Sequence, residues 1–284
     1  MKRYKAVLKE AEASLSVSGQ ETRVAAIVME ELFGLNFAGL MVHGDELMPK
    51  EDYKKFASVI ERVCLNEPYQ YVLGEAYFYE SYFKVTPDTL IPRNETEELV
   101  DFVLNNEPDT GLTAVDIGTG TGAIGLTLAK HWTSNKVIVT DISPGALSTA
   151  RENGRRLGVS AEYLEGSLFE PLVDKEIKAD IIISNPPYIS EDEKHLMTSS
   201  VVEYEPAAAL FADDGGLALY KEMIRTLPEV LKPGGRIYFE IGFKQADALK
   251  SYIETAWPGT IAHVIKDINQ QDRILYFTRG EKSD

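Results

Sequence analysis

The feature that most constrains this chain is a glycine-rich turn, Asp116-Ile117-Gly118-Thr119-Gly120-Thr121-Gly122, set between an apolar run at 113–117 and a helical pattern from Ile124. Glycines at alternate positions admit left-handed backbone and let a ligand come close to the main chain, while the next helix starts with N–H groups that lack partners. A strand, such a turn and a helix in succession open a parallel α/β sheet. The downstream sequence repeats the alternation. Further strands are expected at 136–141, 161–164, 181–184, 236–241, 261–266 and 273–278, and helices at 124–131, 144–157, 216–231 and 244–255. Nearly unbroken apolar strands imply a sheet covered on both faces, so a Rossmann-like α/β domain of seven strands is expected. Only the short polar stretch 267–272 separates the last two strands, so they should pair antiparallel at one edge.

Upstream, the apolar period is helical. Tyr4, Val7, Leu8, Ala11 and Leu15 form one stripe, Val24, Ile27, Val28 and Leu32 a second, and Tyr53, Phe56, Ile60 and Val63 a third. Gly34 is a stop signal, and Pro49 with Glu51 and Asp52 fits a first turn. From Pro68 to Pro92 the residues become aromatic and β-branched, with Gly74 and Pro87-Asp88 as turn signals, which suggests a β-hairpin. Asn94 and Glu97 have capping-box spacing ahead of Leu99, Val100 and Val103. The 284 residues thus divide into a helical bundle at 1–67, a hairpin connector at 68–93 and the α/β domain at 94–284.

Charge narrows the partners. There are 29 basic and 45 acidic residues, a net −16, and the excess is even: 11 against 19 up to position 108, 18 against 26 beyond it. Such a surface repels phosphate backbones, so direct nucleic-acid binding is not expected. Cys64 is the only cysteine, which leaves no internal disulfide and no cysteine-based metal site. His43, His131, His195 and His263 are scattered and suggest no metal. No run of eighteen apolar residues and no leader-like start occurs, so a cytoplasmic monomer free of membranes is expected.

Chemistry concentrates where the strands end. Gly120, Gly122 and Gly125 spell G-x-G-x-x-G, so the glycines alone leave a nicotinamide cofactor and S-adenosylmethionine both open. Asp141 ends the second strand beside this cradle, positioned to accept hydrogen bonds from ribose hydroxyls. After the third strand come Glu165-Gly166-Ser167-Leu168-Phe169, where Leu168 or Phe169 could flank an adenine. The deciding stretch is Asn185-Pro186-Pro187-Tyr188, directly after the fourth strand. Two prolines stiffen it, so the Asn185 side chain and the Pro186 carbonyl can each accept one hydrogen of a planar –NH2 group while Tyr188 stacks on its plane. That arrangement suits methyl transfer to an amide or exocyclic nitrogen.

The glycine turn together with Asn185-Pro186-Pro187-Tyr188 resembles the amino methyltransferases that use S-adenosylmethionine. Pro68-Tyr69-Gln70-Tyr71-Val72-Leu73-Gly74, Leu90-Ile91-Pro92-Arg93-Asn94-Glu95-Thr96-Glu97 and Glu203-Tyr204-Glu205-Pro206-Ala207-Ala208-Ala209-Leu210 resemble, more narrowly, the peptide chain release factor glutamine N5-methyltransferases. The resemblance covers essentially the whole chain. It implies a class I methyltransferase fold and methylation of the glutamine amide in the Gly-Gly-Gln motif of release factors. It also implies that Gly118, Thr119, Gly120, Thr121 and Gly122 hold the methionine part of the cofactor, Asp141 the ribose, and Asn185, Pro186, Pro187 and Tyr188 the substrate amide. Ser167 and Leu168 depart from the aspartate and aromatic residue expected after the third strand.

The expected mechanism is direct displacement without a general base: Asn185 and Pro186 orient the nitrogen and Tyr188 restricts its plane. A DNA adenine N6-methyltransferase is the alternative, because adenine offers a similar amino group. The negative charge and the lack of a target-recognition insertion oppose it. A nicotinamide oxidoreductase would leave the Asn-Pro-Pro-Tyr loop unexplained. The helical domain and the hairpin connector are expected to recognise the protein substrate.

Overall fold

The computed structural model describes residues 2–280. They form two compact units, one up to Gly74 with Thr198–Tyr204 and one of Glu75–Met197 with the chain from Glu205 onward. The first unit holds α1 (Tyr4–Val17), α2 (Val24–Phe33), α3 (Phe37–His43), α4 (Lys50–Cys64) and α5 (Tyr69–Leu73). The expected stripes bury Val7, Ala11, Leu15, Val28, Phe56, Ile60 and Val63 in a core of their own. Gly34 closes α2 at φ +67°, and Pro49 precedes α4 with Glu51 and Asp52 at its positive end. The structure corrects the start of the expected β-hairpin region: Tyr69–Leu73 is helical despite its aromatic and branched residues. Pro68 at one end and Gly74 at φ +81° at the other outweigh the side-chain preference.

The second unit opens with the hairpin β1 (Glu75–Phe78) and β2 (Ser81–Lys84). Its turn is Tyr79-Glu80, with φ of +42° and +61°, where neither residue is glycine. Glu97 steadies that turn by accepting a hydrogen bond from the Tyr79 N–H at 2.9 Å. The capping box is therefore absent: α6 (Asn94–Asn106) already includes Asn94, and Arg93 flanks it without a side-chain cap.

The strands of the main sheet are β3 (Thr113–Ile117), β4 (Lys136–Asp141), β5 (Glu162–Glu165), β6 (Ala179–Ser184), β7 (Leu231–Glu240), β8 (His263–Lys266) and β9 (Asp272–Thr278). Between them lie α7 (Ala123–His131), α8 (Pro144–Leu157), α9 (Glu170–Asp174), α10 (Ser199–Tyr204), α11 (Asp213–Gly216), α12 (Ala218–Thr226) and α13 (Ala246–Ala256), with α10 belonging to the first unit. Local signals are strong in α8: Ser143 accepts from the Ala146 N–H, Pro144 starts the helix and Gly158 at φ +69° ends it. Sheet order is β5-β4-β3-β6-β7-β9-β8, parallel except that β9 runs against both neighbours. One apolar cluster gathers α12, α13 and Phe239, and another gathers α6, α7, Phe78 and Phe83.

The helix expected at 216–231 is shorter. Left-handed Asp214, Gly215 and Gly216 delay its start, and Pro228 ends it, so Leu231 already begins β7. Proline has no N–H for the Ile224 carbonyl four residues back; the Trp257 indole N–H donates there instead, at 3.1 Å.

Phe239 is fully buried in β7, 5.2 Å from the Tyr220 ring in an edge-on arrangement. Phe239→Ala should cost about 3–5 kcal/mol in urea unfolding, whereas Ile268→Ala, at a side chain 83% exposed, should stay within about 0.5 kcal/mol.

Candidate active site

Strand register places the chemistry. Thr140, Ile117, Ser184 and Phe239 lie side by side across β4, β3, β6 and β7. The next residues of those four segments are Asp141, Gly118, Asn185 and Glu240, all at the carboxyl edge of the sheet. The chain reverses its direction of travel between β3 and β6, which is where open α/β sheets form a ligand crevice. A hydrogen bond from Ser184 Oγ to the Ile117 carbonyl, 2.8 Å, ties the two segment ends together.

In the glycine turn, Gly118, Gly120 and Gly122 have φ of +70°, +57° and +84°. A Cβ on Gly118 or Gly120 would meet nothing within 4 Å, so that backbone is open to a ligand. Gly122 and Gly125 serve packing instead: a Cβ would lie 2.5 Å from Leu126 Cδ1 and 2.5 Å from Val139 Cγ1 respectively. Thr119 and Thr121 are both buried. Thr119 Oγ1 donates to Asp116 Oδ2 at 2.5 Å, and the Thr121 carbonyl accepts from Asn153 Nδ2 at 2.9 Å. Asp116 Oδ2 also accepts from the Gly125 N–H, while Oδ1 has no partner among the described residues. Asp141 accepts from the Gly120 and Ser143 N–H groups at 2.8 and 2.9 Å, which locks the second strand end to the cradle.

Phe169 is core, 3% exposed, and so is not available to a ligand. Leu168 is half-buried in a left-handed conformation, φ +44°. Ile142, directly after Asp141, leaves 66% of its surface exposed beside the cradle. Nothing in the sequence marks Ile142, because a single apolar residue after a strand carries no motif.

Asn185 is held from behind. Its Nδ2 donates to Thr96 Oγ1 at 3.2 Å, and Thr96 Oγ1 donates to Glu240 Oε2 at 2.7 Å. Pro186 is buried and Pro187 half-buried. The Tyr188 carbonyl accepts from Gln245 Nε2 at 2.9 Å, and it lies 2.0 Å from where a Cβ on Gly216 would stand, so only glycine fits there. Burial and the nearby Glu240 push the Tyr188 hydroxyl up to about 12, leaving a neutral ring at the crevice. Thr96, Glu240 and Gln245 were not singled out from the sequence. The acid at the end of β7 offered a signal, since it ends its strand as Asp141 ends β4.

Two distant motifs also meet. Arg93 Nη2 donates to Glu205 Oε1 at 2.6 Å, and Glu205 Oε2 accepts from the Ile91 N–H at 3.4 Å. The Glu205 side chain is 1% exposed, so this pair joins the segment before α6 to the one after α10 as a buried clamp.

Two family models and full-length relatives match the chain. The methyltransferase small domain family matches residues 95–232, and the PrmC N-terminal domain family matches residues 6–74. A release factor glutamine methyltransferase of Enterococcus faecalis is 42% identical over 96% of this chain and 98% of its own length. The chain belongs to the release factor glutamine methyltransferases. A second member, from Staphylococcus aureus, is 40% identical over 98% of this chain and 99% of its own length. A methyltransferase structure from Pyrococcus furiosus shares the fold, with TM-score 0.52 and 19% identity over 70% of this chain and 88% of that one.

Two buried carboxyls of this family member carry a pH signature. Burial raises Asp116 to about 6 and Glu240 to about 7. A carboxyl whose pKa is higher folded than unfolded binds its proton more tightly in the native state, so stability falls as pH rises between the two values. The melting temperature should therefore be higher at about pH 6 than at about pH 8; calorimetry giving the reverse order would contradict the burial of these groups.

Proposed function

We propose that this chain methylates the side-chain amide nitrogen of the glutamine in the Gly-Gly-Gln motif of peptide chain release factors, using S-adenosylmethionine. The observation that carries the reading is the adjacency of the open Gly118–Gly120 backbone and the braced Asn185 amide across one pair of strands. Family membership supports the substrate. The open glycine backbone and the acceptor pair of Asp141 suit the methionine and ribose portions of the cofactor, and Leu168 and Ile142 are suited to its adenine. When bound, the cofactor supplies an electrophilic methyl group.

In this reading, Asn185 Oδ1 and the Pro186 carbonyl accept the two amide hydrogens, which keeps the nitrogen's π face toward the crevice. Amide nitrogen is a poor nucleophile because its lone pair is delocalised. Acceptors on both hydrogens raise its electron density as charge develops, which lowers the barrier rather than only tightening binding. The neutral Tyr188 ring and Pro187 limit the plane, and the proton leaves to water. We assign the helical unit, spanning the proposed boundary near residue 67, to recognition of the protein substrate. The reading includes a cytoplasmic monomer that acts on protein and not on nucleic acid or membranes. Among the described residues, no single helix is long and apolar enough to cross a membrane.

Asn185→Ala should lower methyl transfer at least about a hundredfold with cofactor affinity nearly unchanged, while Asp141→Ala should weaken cofactor binding by about tenfold or more in calorimetry. An active Asn185→Ala enzyme would remove that residue from its role. On α3, Phe37 is 82% and Met41 64% exposed, one helical turn apart. Replacing both with serine should raise KM for a whole release factor with kcat little changed, and an unchanged KM would exclude this face from recognition.

A further inference from the structure

We propose that Thr96 and Glu240 are positioning residues that dictate which end of the Asn185 side-chain amide faces the crevice. The inference rests on the methyl-transfer reading above, because only an oxygen facing the crevice can accept a hydrogen from a substrate amide. An asparagine side chain is nearly symmetric in shape, so packing alone does not choose between its two orientations. Hydrogen-bond polarity does. Thr96 has one hydroxyl proton and gives it to Glu240 Oε2 at 2.7 Å, leaving Oγ1 as an acceptor toward Asn185. Asn185 must then present Nδ2 to Thr96, at 3.2 Å, and its oxygen is directed to the other side. In the flipped orientation, Oδ1 would face an oxygen whose proton is already committed, and Nδ2 would confront the hydrogens of the substrate amide.

Thr96 is 4% exposed and Glu240 1%, so bulk water cannot substitute for either partner. The relay spans three elements that are far apart in sequence: α6, the end of β6 and the end of β7.

Ionised Glu240 enforces this polarity and protonated Glu240 reverses it. A carboxyl O–H can donate to Thr96 Oγ1, freeing the hydroxyl proton for Asn185 Oδ1 and turning the amide round. The groups facing Glu240 are Arg93 and Glu95 at the start of α6, Tyr188 on the Asn-Pro-Pro-Tyr loop, Tyr220 on α12 and Arg273 on β9. Both cations are engaged elsewhere, Arg93 with Glu205 and Arg273 with Asp267. The Tyr220 hydroxyl donates to the Glu240 main-chain carbonyl, not to its carboxylate. Burial therefore prevails and brings the carboxyl's titration to about 7.

The test is steady-state methyl transfer to a full-length release factor, combined with side-chain amide NMR of this protein without substrate. Thr96→Val keeps the shape of the residue and removes the hydroxyl. It should lower kcat by about tenfold or more while KM and cofactor affinity stay within about twofold, and Thr96→Ser should recover most of the rate. The wild-type kcat should climb as pH rises through about 7, with Glu240→Gln flat over the same range. The Asn185 NH2 resonances should titrate in step in the wild type and not in Glu240→Gln. A purely structural role would lower the melting temperature and cofactor affinity together with kcat and would leave no titration. Wild-type kcat in Thr96→Val, failure of the serine to rescue, or resonances that do not titrate in the wild type would each overturn the inference. A wild-type protein that transfers no methyl group would instead overturn the reaction reading, and the NMR titration would still decide the orientation.

Discussion

The parallel pairing of β3 with β6, Ile117 opposite Ser184, is the constraint on which the site depends. Because the two strands end level, the open glycine backbone and the Asn-Pro-Pro-Tyr loop emerge side by side, and the Ser184 hydroxyl bonded to the Ile117 carbonyl fixes that level. A slip of one residue would send every side chain of β6 to the opposite face and place the apolar Ile183 where Ser184 stands. Such a slip would also pull Asp180 away from the Thr113 N–H and the Lys232 ammonium, whose hydrogen bonds its carboxylate accepts at 2.8 and 2.7 Å.

Near these strand ends two acids sit in a dry place, Asp116 one residue before the end of β3 and Glu240 last in β7. Asp116 and Glu240 are each 1% exposed, and burial raises both. Among the described residues neither has a cation as a hydrogen-bond partner; each is engaged by a threonine hydroxyl, Thr119 or Thr96, and Asp116 also by a backbone N–H. Carboxylates so placed cost stability at neutral pH, and their value lies in the acceptors they offer to loops that must hold one shape. By contrast, Glu205 receives the Arg93 guanidinium directly and joins two segments that are far apart in sequence.

Much of this was legible in the sequence because it is local. The glycine turn, the apolar strands, Ser143-Pro144 and Gly158 around α8, and the helical stripes of the first unit all act over a few residues, and the structure follows them. What escaped is where a local signal was overruled or a distant one was needed. Glu97 has capping-box spacing but serves the hairpin turn, since the Tyr79 N–H has need of an acceptor. That turn uses Tyr79-Glu80 without a glycine, so nothing in the residue types marked it. The helix before β7 stops early because Pro228 breaks its ladder. Thr96 and Glu240 lie 144 residues apart, and only the folded sheet brings that pair behind Asn185. Asp141 and Asn185 stand out in the sequence because each sits beside a motif at its own strand end.

The central chemical proposal is that the crevice transfers a methyl group to a glutamine amide of a protein. The most direct measurement is peptide mass spectrometry of a purified release factor after incubation with this protein and S-adenosylmethionine. The predicted result is a mass gain of one methyl group on the glutamine of the Gly-Gly-Gln peptide and on no other residue. An unmodified glutamine in the presence of active cofactor binding, or labelling of adenine in plasmid DNA in its place, would contradict it.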